Sequence, residues 1–252
     1  MKQFDKFDLL PLSFSTLDQF HKYPCQWVLR KIFKEKLPSN AAMERGTAIE
    51  LGIAQMFIKN IPWSNAVSLA QGNFDDHCPK PWTNKHIEER GLIPQAIEVG
   101  YEELYPKGVF KRWQPQFNFE IKGLPFVGYE DFHFETEDKE DIYVDLKSTK
   151  RKPNPFPTSH LIQQSLYRKA SNSRCMNLYV ISLKSSCYPV WNEVENPQPY
   201  IVMVEKVLDS MTYVLDMCET KEDMLKLFVP NIDDWMWNDD ALIDLRKKYW
   251  GY

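Results

Sequence analysis

The first forty residues have the pattern of short helices. Residues 15–18 (STLD) have the form of a capping box, so we expect Ser15 to cap a helix that begins there. Pro24 interrupts this helix, because proline lacks the backbone N–H that a helix interior uses. The segment QWVLRKIFKEK then predicts that the helix resumes and continues to about Lys36.

Longer helices are predicted for residues 40–60 and for most of residues 64–105. In the first range, small and apolar residues recur at helical spacing. The second range is interrupted by the prolines at positions 79, 81 and 94. We therefore expect an inserted helical lobe over residues 53–113.

After residue 114 the hydrophobic period changes from helical to alternating. In QFNFEIKG, Phe117, Phe119 and Ile121 alternate with polar residues, which is typical of a half-buried strand. The pattern further predicts two strands, a helix, an apolar strand and closing helices at FVGYEDFHFE, DIYVDLKS, HLIQQSLYRKAS, CMNLYVISLKS and residues 200–229. The order helix, three antiparallel strands, helix, strand predicts an α/β fold with a mixed sheet flanked by helices.

Composition narrows the class of protein. The chain has 252 residues, and 43% of them are hydrophobic, which is enough for a sizeable core. The net charge of −4 means that contact with a polyanion must rest on local basic patches or bound cations. Five dispersed cysteines without a CxxC motif indicate reduced thiols, and no apolar run is long enough for a membrane span. We expect a soluble cytoplasmic protein.

One of the four acidic-x-Lys patterns in the chain differs from the others. Asp145 and Lys147 follow an apolar run and project from the same face of the predicted strand, since side chains repeat every two residues. Asp131 ends the preceding strand segment, so a hairpin would bring the two aspartates together. Two converging carboxylates suit Mg²⁺, which prefers oxygen ligands. The other three patterns are typical of exposed ion pairs.

Four short motifs occur in the order found in the PD-(D/E)xK nuclease superfamily. RGTAIELG has Gly46 and Glu50 at the spacing of the Gly-x-x-x-His/Glu motif, GYED ends in Asp131, and DLK is the Asp/Glu-x-Lys motif. QQSLY matches the Gln-x-x-x-Tyr helix of the RecB-type exonuclease branch, with Gln163 and Tyr167. The chain therefore resembles that branch, which includes phage recombination nucleases, CRISPR-associated RecB-like nucleases and the mitochondrial genome maintenance exonuclease.

The resemblance spans roughly residues 12–170 and implies a restriction-endonuclease-like core. It implies one nuclease domain over residues 1–252, with the helical lobe inserted at 53–113. The catalytic sheet and motif helix would occupy residues 114–187. Closing helices and an aromatic tail would occupy residues 200–252.

The resemblance also implies a role for each motif residue. One or two Mg²⁺ ions, for which Mn²⁺ can substitute, would be held by Glu50, Asp131, Asp145 and the carbonyl of Leu146. Lys147 would stabilise charge that develops in the transition state. The expected substrate contacts are Gln163, Tyr167, Lys150, Arg151 and Ser13.

Two features depart from the family pattern. Glu50 stands where RecB-like members commonly have histidine, which keeps the metal site all-oxygen. Cys25 matches the first cysteine of the members that hold an iron–sulfur cluster, but Cys175, Cys187 and Cys218 lack the close spacing of the other three. We expect no iron–sulfur cluster.

These observations predict a Mg²⁺-dependent deoxyribonuclease that hydrolyses phosphodiester bonds from DNA ends in recombination, repair or phage DNA metabolism. Its partners would be DNA with a free single-stranded or duplex end and a recombination or replication protein, in the cytoplasm of a bacterial or phage-infected cell. Two alternatives stay open from the residues alone. One is a structure-specific or restriction-type endonuclease on the same fold, and the other is a DNA-binding module without turnover.

Overall fold

The computed structural model of the chain describes residues 2–78, 80–234 and 237–252. Pro79, predicted to interrupt the helical lobe, and Trp235 and Met236 of the predicted aromatic tail lie outside the described residues. The chain divides into two compact units. The first contains the described residues up to 38 together with 118–128 and 199–252, and the second contains 39–117 and 129–198.

Helices and strands alternate in long blocks along the chain. The helices are α1 (Lys2–Lys6), α2 (Phe14–Lys22), α3 (Pro24–Trp27), a π-helical turn (Val28–Ile32), α4 (Ala41–Lys59), α5 (Trp63–His77), α6 (Asn84–Gly91), α7 (Ile93–Leu104), a 3₁₀ turn (Tyr105–Lys107), α8 (Thr158–Ser171), α9 (Gln198–Met217), α10 (Lys221–Leu227) and α11 (Asp240–Trp250). The strands are β1 (Val109–Trp113), β2 (Gln116–Ile121), β3 (Leu124–Tyr129), β4 (Phe132–Glu135), β5 (Asp141–Thr149), β6 (Arg174–Ser182) and β7 (Cys187–Glu193). Among the described residues, no helix is long and apolar enough to cross a membrane.

The second unit is built on a five-stranded mixed sheet of order β1-β4-β5-β6-β7. Strands β5 and β6 are parallel, and the other neighbouring pairs are antiparallel. Helix α8 connects the two parallel strands, which cannot be joined by a tight turn. This mixed sheet flanked by helices confirms the predicted fold class.

The core of the second unit lies between one face of the sheet and helices α4, α5 and α7. Ile142 and Val144 of β5 are buried in it together with Ile53 of α4. Gly52 lets α4 and α7 approach closely, because a Cβ there would lie 2.5 Å from Ile97 Cδ1. The small residues of the predicted 40–60 helix therefore serve helix packing, and the helix itself is confirmed with bounds Ala41–Lys59.

The first unit combines helices with residues 118–128, which form most of the β2–β3 hairpin, a separate two-stranded sheet. Lys122 and Gly123 both have positive φ, as a tight two-residue hairpin turn requires. Aromatic packing holds the helices together: the Trp27 ring lies edge-on to Phe20 and Phe228, with centroid distances of 5.0 and 6.4 Å. These rings supply the apolar burial that short helices need for stability.

The structure corrects the start of the first predicted helix and the end of the helix predicted after Pro24. Ser13, not Ser15, is the N-cap of α2, because Ser13 has extended backbone and its Oγ accepts a hydrogen bond from the Thr16 N–H at 3.3 Å. The helical segment after Pro24 ends with the π-helical turn at Ile32, not at Lys36.

The strand predictions were also incomplete. FVGYEDFHFE, expected to be one strand, is divided at residues 130–131 into β3, which pairs with β2, and β4, which pairs with β1 and β5. Strand β1 lies within the predicted helical lobe of residues 53–113, and all of β7 except its first residue lies beyond the predicted sheet of residues 114–187. Both are edge strands without the regular apolar alternation that identifies a strand in a sequence.

Gly108, which leads into β1, provides a test of the close approach of this segment to the end of β4. Its φ is +133°, a conformation that side chains rarely adopt, and a Cβ would lie 2.3 Å from the Glu135 carbonyl oxygen. We expect Gly108→Ala to lower the free energy of unfolding by at least about 2 kcal/mol in urea denaturation. The control Gly72→Ala, in helix α5 where a Cβ meets nothing within 4 Å, should raise it by about 0.5–1 kcal/mol. Equal stabilities would contradict the fold at this position.

Candidate functional site

Asp145 and Lys147 lie on β5, between the neighbouring strands β4 and β6. Lys147 Nζ forms an ion pair with Asp145 Oδ2 and donates a hydrogen bond to Gln163 Oε1 at 3.1 Å. Gln163 Nε2 in turn donates to Asp145 Oδ1 at 3.0 Å. A single amide on α8 therefore holds both charged side chains, and the structure brings these three predicted site residues into direct contact.

Asp131 lies between β3 and β4 and reaches the same strand. Because β4 and β5 pair antiparallel with Phe132 opposite Val144, Asp131 falls next to the second half of β5. Its Oδ2 accepts a hydrogen bond from the Leu146 N–H at 2.6 Å. The predicted approach of Asp131 to the Asp-Leu-Lys segment is thus observed, while the role of the Leu146 carbonyl as a metal ligand stays a prediction.

Glu50 is held on α4 by two polar side chains. Its Oε1 accepts hydrogen bonds from Trp113 Nε1 at 2.7 Å and from Gln114 Nε2 at 2.9 Å. Burial raises the pKa of Glu50, these two hydrogen bonds oppose the rise, and the nearby charge of Asp145 adds to it. Gly46, one turn earlier on α4, has free space where a Cβ would be, so packing within the described residues does not explain the glycine.

Glu130 is a site residue that the sequence analysis missed. It is only 1% exposed, and neither carboxyl oxygen has a hydrogen-bond partner among the described residues. Burial, followed by repulsion from Asp145 and Asp131, holds its pKa well above the usual value. The signal available in the sequence was its position beside Asp131 in GYED, but alternation alone does not show that a glutamate will be buried.

The five charged groups form one electrostatic cluster with excess negative charge. The pKa of Asp131 is raised well above its usual value, first by burial and then by Asp145 and Glu50. Burial acts to lower the pKa of Lys147, but attraction by Asp145, Asp131 and Glu130 raises it overall. Lys147 therefore remains a cation at neutral pH, which suits charge stabilisation and does not suit a general base.

The donor atoms of this cluster fit a divalent cation in their chemistry. All are carboxylate oxygens, the ligands that Mg²⁺ and Mn²⁺ prefer, and their negative charge exceeds that of the single lysine. In the described part of the chain, no three acidic, histidine or cysteine side chains are grouped as a metal site. Glu50 and Asp131 are instead held by the hydrogen bonds given above, so ion binding would require these carboxylates to turn.

The remaining predicted substrate contacts differ in their surroundings. Tyr167 is 4% exposed, stacks on Phe117 and accepts a hydrogen bond from the Tyr129 N–H at 3.3 Å, so it packs within the second unit. The side chain of Arg151 is exposed. Ser13 is the helix cap of α2 in the first unit. Contacts of these residues with a substrate stay predictions.

Lys150 is already engaged in a buried ion-pair network. Its Nζ lies 2.7 Å from Glu89 Oε1, and Glu89 also pairs with the buried guanidinium of Arg45. Arg45 Nε donates a hydrogen bond at 3.1 Å to Oγ of Ser148, the residue that follows Lys147 on β5. The network ties helix α6 to the end of the strand that carries the cluster.

The fold has a counterpart among solved structures. No protein-family model matches the chain, and no curated protein matches it either. Its structure is similar to the crystal structure of a protein from Eubacterium rectale provisionally named an exonuclease, with a TM-score of 0.57 and 11% identity over 91% of this chain and 92% of that chain. At this identity the similarity concerns the fold alone. The crystal structure of SSO0001 also matches, with 11% identity over 84% of this chain and 98% of that chain, but its TM-score of 0.34 is too low to indicate a shared fold.

The raised pKa values predict how stability depends on pH. A carboxyl whose pKa rises on folding contributes stability below its unfolded pKa, and this contribution is lost as the pH rises through the folded pKa. We therefore expect the metal-free protein to lose stability as the pH rises above about 4.5, the ordinary pKa of a glutamate, and Glu130→Gln to lose less of it. Thermal unfolding in EDTA measures this, with the exposed Glu137→Gln as control. The same slope in Glu130→Gln and wild type would contradict the buried, unpaired carboxyl.

Proposed function

We propose that this protein is a metal-dependent DNA exonuclease of the PD-(D/E)xK superfamily, in its RecB-type branch. The observation that carries the proposal is the contact of Asp145, Lys147 and Gln163 with each other, beside the carboxylate of Asp131. These residues come from separate motifs and meet in the second unit. The fold shared with the Eubacterium rectale protein, provisionally named an exonuclease, supports the same reading.

Each group in the cluster has a defined task in this proposal. Glu50, Asp131 and Asp145 would hold Mg²⁺ or Mn²⁺, which supplies an activated water and neutralises phosphate charge when bound. Lys147, kept protonated by the surrounding carboxylates, faces the anionic phosphate and stabilises the charge that develops on its oxygens. Gln163 fixes the position of the lysine relative to Asp145.

Burial of the cluster favours a strand end over an intact duplex. Asp145 is 5% exposed, and the Lys147 side chain is 21% exposed, so a phosphate must enter among half-buried groups to reach them. A flexible single strand or a frayed end can do this at a lower conformational cost than a stiff double helix. This argument supports an exonuclease over the alternative of an endonuclease on the same fold.

The carboxylates can be tested by conservative substitution. We expect Asp131→Asn and Asp145→Asn each to lower the rate of cleavage of end-labelled linear DNA by at least about 10³-fold, because an amide is a poor ligand for Mg²⁺. Activity should require Mg²⁺ or Mn²⁺, with Ca²⁺ supporting binding only. The control is Asp141→Asn, an exposed residue of the same strand. An unchanged rate at saturating Mg²⁺ in either site variant would refute the assignment.

The requirement for an end needs a separate experiment. We expect a linear single strand to be degraded from its end, while a covalently closed circle of the same sequence stays intact, because the buried cluster admits a free end most easily. Gel electrophoresis of the two substrates over time makes the comparison. Prompt linearisation of the circle would favour the endonuclease alternative, and binding of both without cleavage would favour the module without turnover.

A further inference from the structure

A cavity of about 520 Å³ lies at the carboxyl-terminal end of β5 and β6. Its walls come from helix α6, from the residue that follows β5 and from the turn that follows β6. Lys150 and Lys184 line it, together with the aliphatic side chains of Ile87, Leu92 and Leu183. The volume lies within the range of small-ligand sites.

The composition of the walls indicates the kind of ligand. Ile87 and Leu183 are large aliphatic residues that are 61% and 39% exposed, so they offer an uncovered apolar surface. Lys184 forms no ion pair with a described residue. An apolar wall beside lysines suits a molecule with a flat hydrophobic body and an anionic group, and a nucleotide has both.

The charge balance around Lys150 leaves a cation available for that anionic group. Buried Glu89 has two cationic partners, Arg45 and Lys150, and Arg45 is itself fully buried at 2% exposure. If Lys150 turns to a phosphate, Arg45 still neutralises Glu89, so no buried charge is left unpaired. Glu88 is the one carboxylate that lines the cavity, and Lys150 lies 3.8 Å from it.

The cavity is close to the candidate active site along the chain. Lys150 follows Lys147 by three residues, so the two positions are about 10 Å apart along the chain, and their side chains project from opposite faces of β5. Lys150 accordingly pairs with Glu89 of α6, whereas Lys147 pairs with Asp145 and binds Gln163 of α8.

We propose that this cavity binds one nucleotide of the nucleic-acid substrate at the carboxyl-terminal end of β5. Its base would pack on Ile87 and Leu183, and its phosphate would contact Lys150 and Lys184. The inference rests on the proposed nuclease function, which makes a nucleic-acid strand the source of the nucleotide.

Binding is measured first, apart from cleavage. The probe is a short 5′-phosphorylated oligothymidylate, titrated in the presence of Ca²⁺ by isothermal titration calorimetry. We expect Lys184→Gln to weaken binding about fivefold and Ile87→Ser about tenfold. The matched controls Lys85→Gln and Ile58→Ser, also exposed residues of the second unit outside the cavity, should leave it unchanged. Equal dissociation constants in all five proteins would overturn the subsite.

Kinetics then separate the subsite from the nuclease function. We expect Lys184→Gln to raise KM for the oligothymidylate about fivefold with little change in kcat. Hydrolysis of bis(4-nitrophenyl) phosphate, a phosphodiester without a neighbouring nucleotide, should be unaffected. If the wild type cleaves DNA and the variant matches it in KM, the subsite is wrong and the nuclease function stands. If the oligonucleotide binds through Lys184 and no DNA is cleaved, the nucleotide site stands and the proposed nuclease function is wrong.

Discussion

A surplus of negative charge around one ammonium group is the constraint that organises the second unit. Four carboxyl groups, those of Glu50, Glu130, Asp131 and Asp145, are electrostatically coupled to Lys147 or to each other in a largely buried region. Burying charge without full compensation costs several kcal/mol per ion. Hydrogen bonds and the ion pair offset this cost at three of the carboxyls, whereas the Glu130 carboxyl receives none among the described residues. A cluster selected for stability alone would not contain this carboxyl. Groups that reduce stability in this way are characteristic of functional sites.

The apolar side chains of β5 that stabilise the fold and the charged side chains of the candidate site project from opposite faces of the strand. Ile142 and Val144 are buried among α4, α5 and α7, while Asp145 and Lys147 bind Gln163 of α8. Since neighbouring residues of a strand point to opposite faces, the apolar residues anchor the strand that carries the charges. Pairing of β5 with strands on both sides adds rigidity, and a rigid strand holds charged groups more precisely than a loop does.

Local sequence was sufficient for the elements and contacts that depend on short-range periodicity. The alternation in DIYVDLKS predicted β5 and placed Asp145 and Lys147 on one face, and helical spacing located α4 to within one residue at each end. The approach of Asp131 to β5 was predicted from a hairpin, because a short connection between two neighbouring strands leaves few ways for those strands to pair. The identity of the motif residues came from their order along the chain. The structure brings three of them, Asp145, Lys147 and Gln163, into contact and places Asp131 against the Leu146 N–H between Asp145 and Lys147.

Tertiary structure decided what depends on pairing between distant segments. The alternation continues through GYED, so only the separation of β3 and β4 into different sheets shows where the strand ends and that Glu130 is buried. Edge strands β1 and β7 carry no regular pattern, and Glu50 finds its partner Trp113 sixty-three residues away on one of them. The pairing of Lys150 with Glu89 likewise joins segments far apart in sequence. Burial and charge compensation are properties of the assembled packing, because each depends on which remote side chains exclude water from a group, and local periodicity does not contain that information.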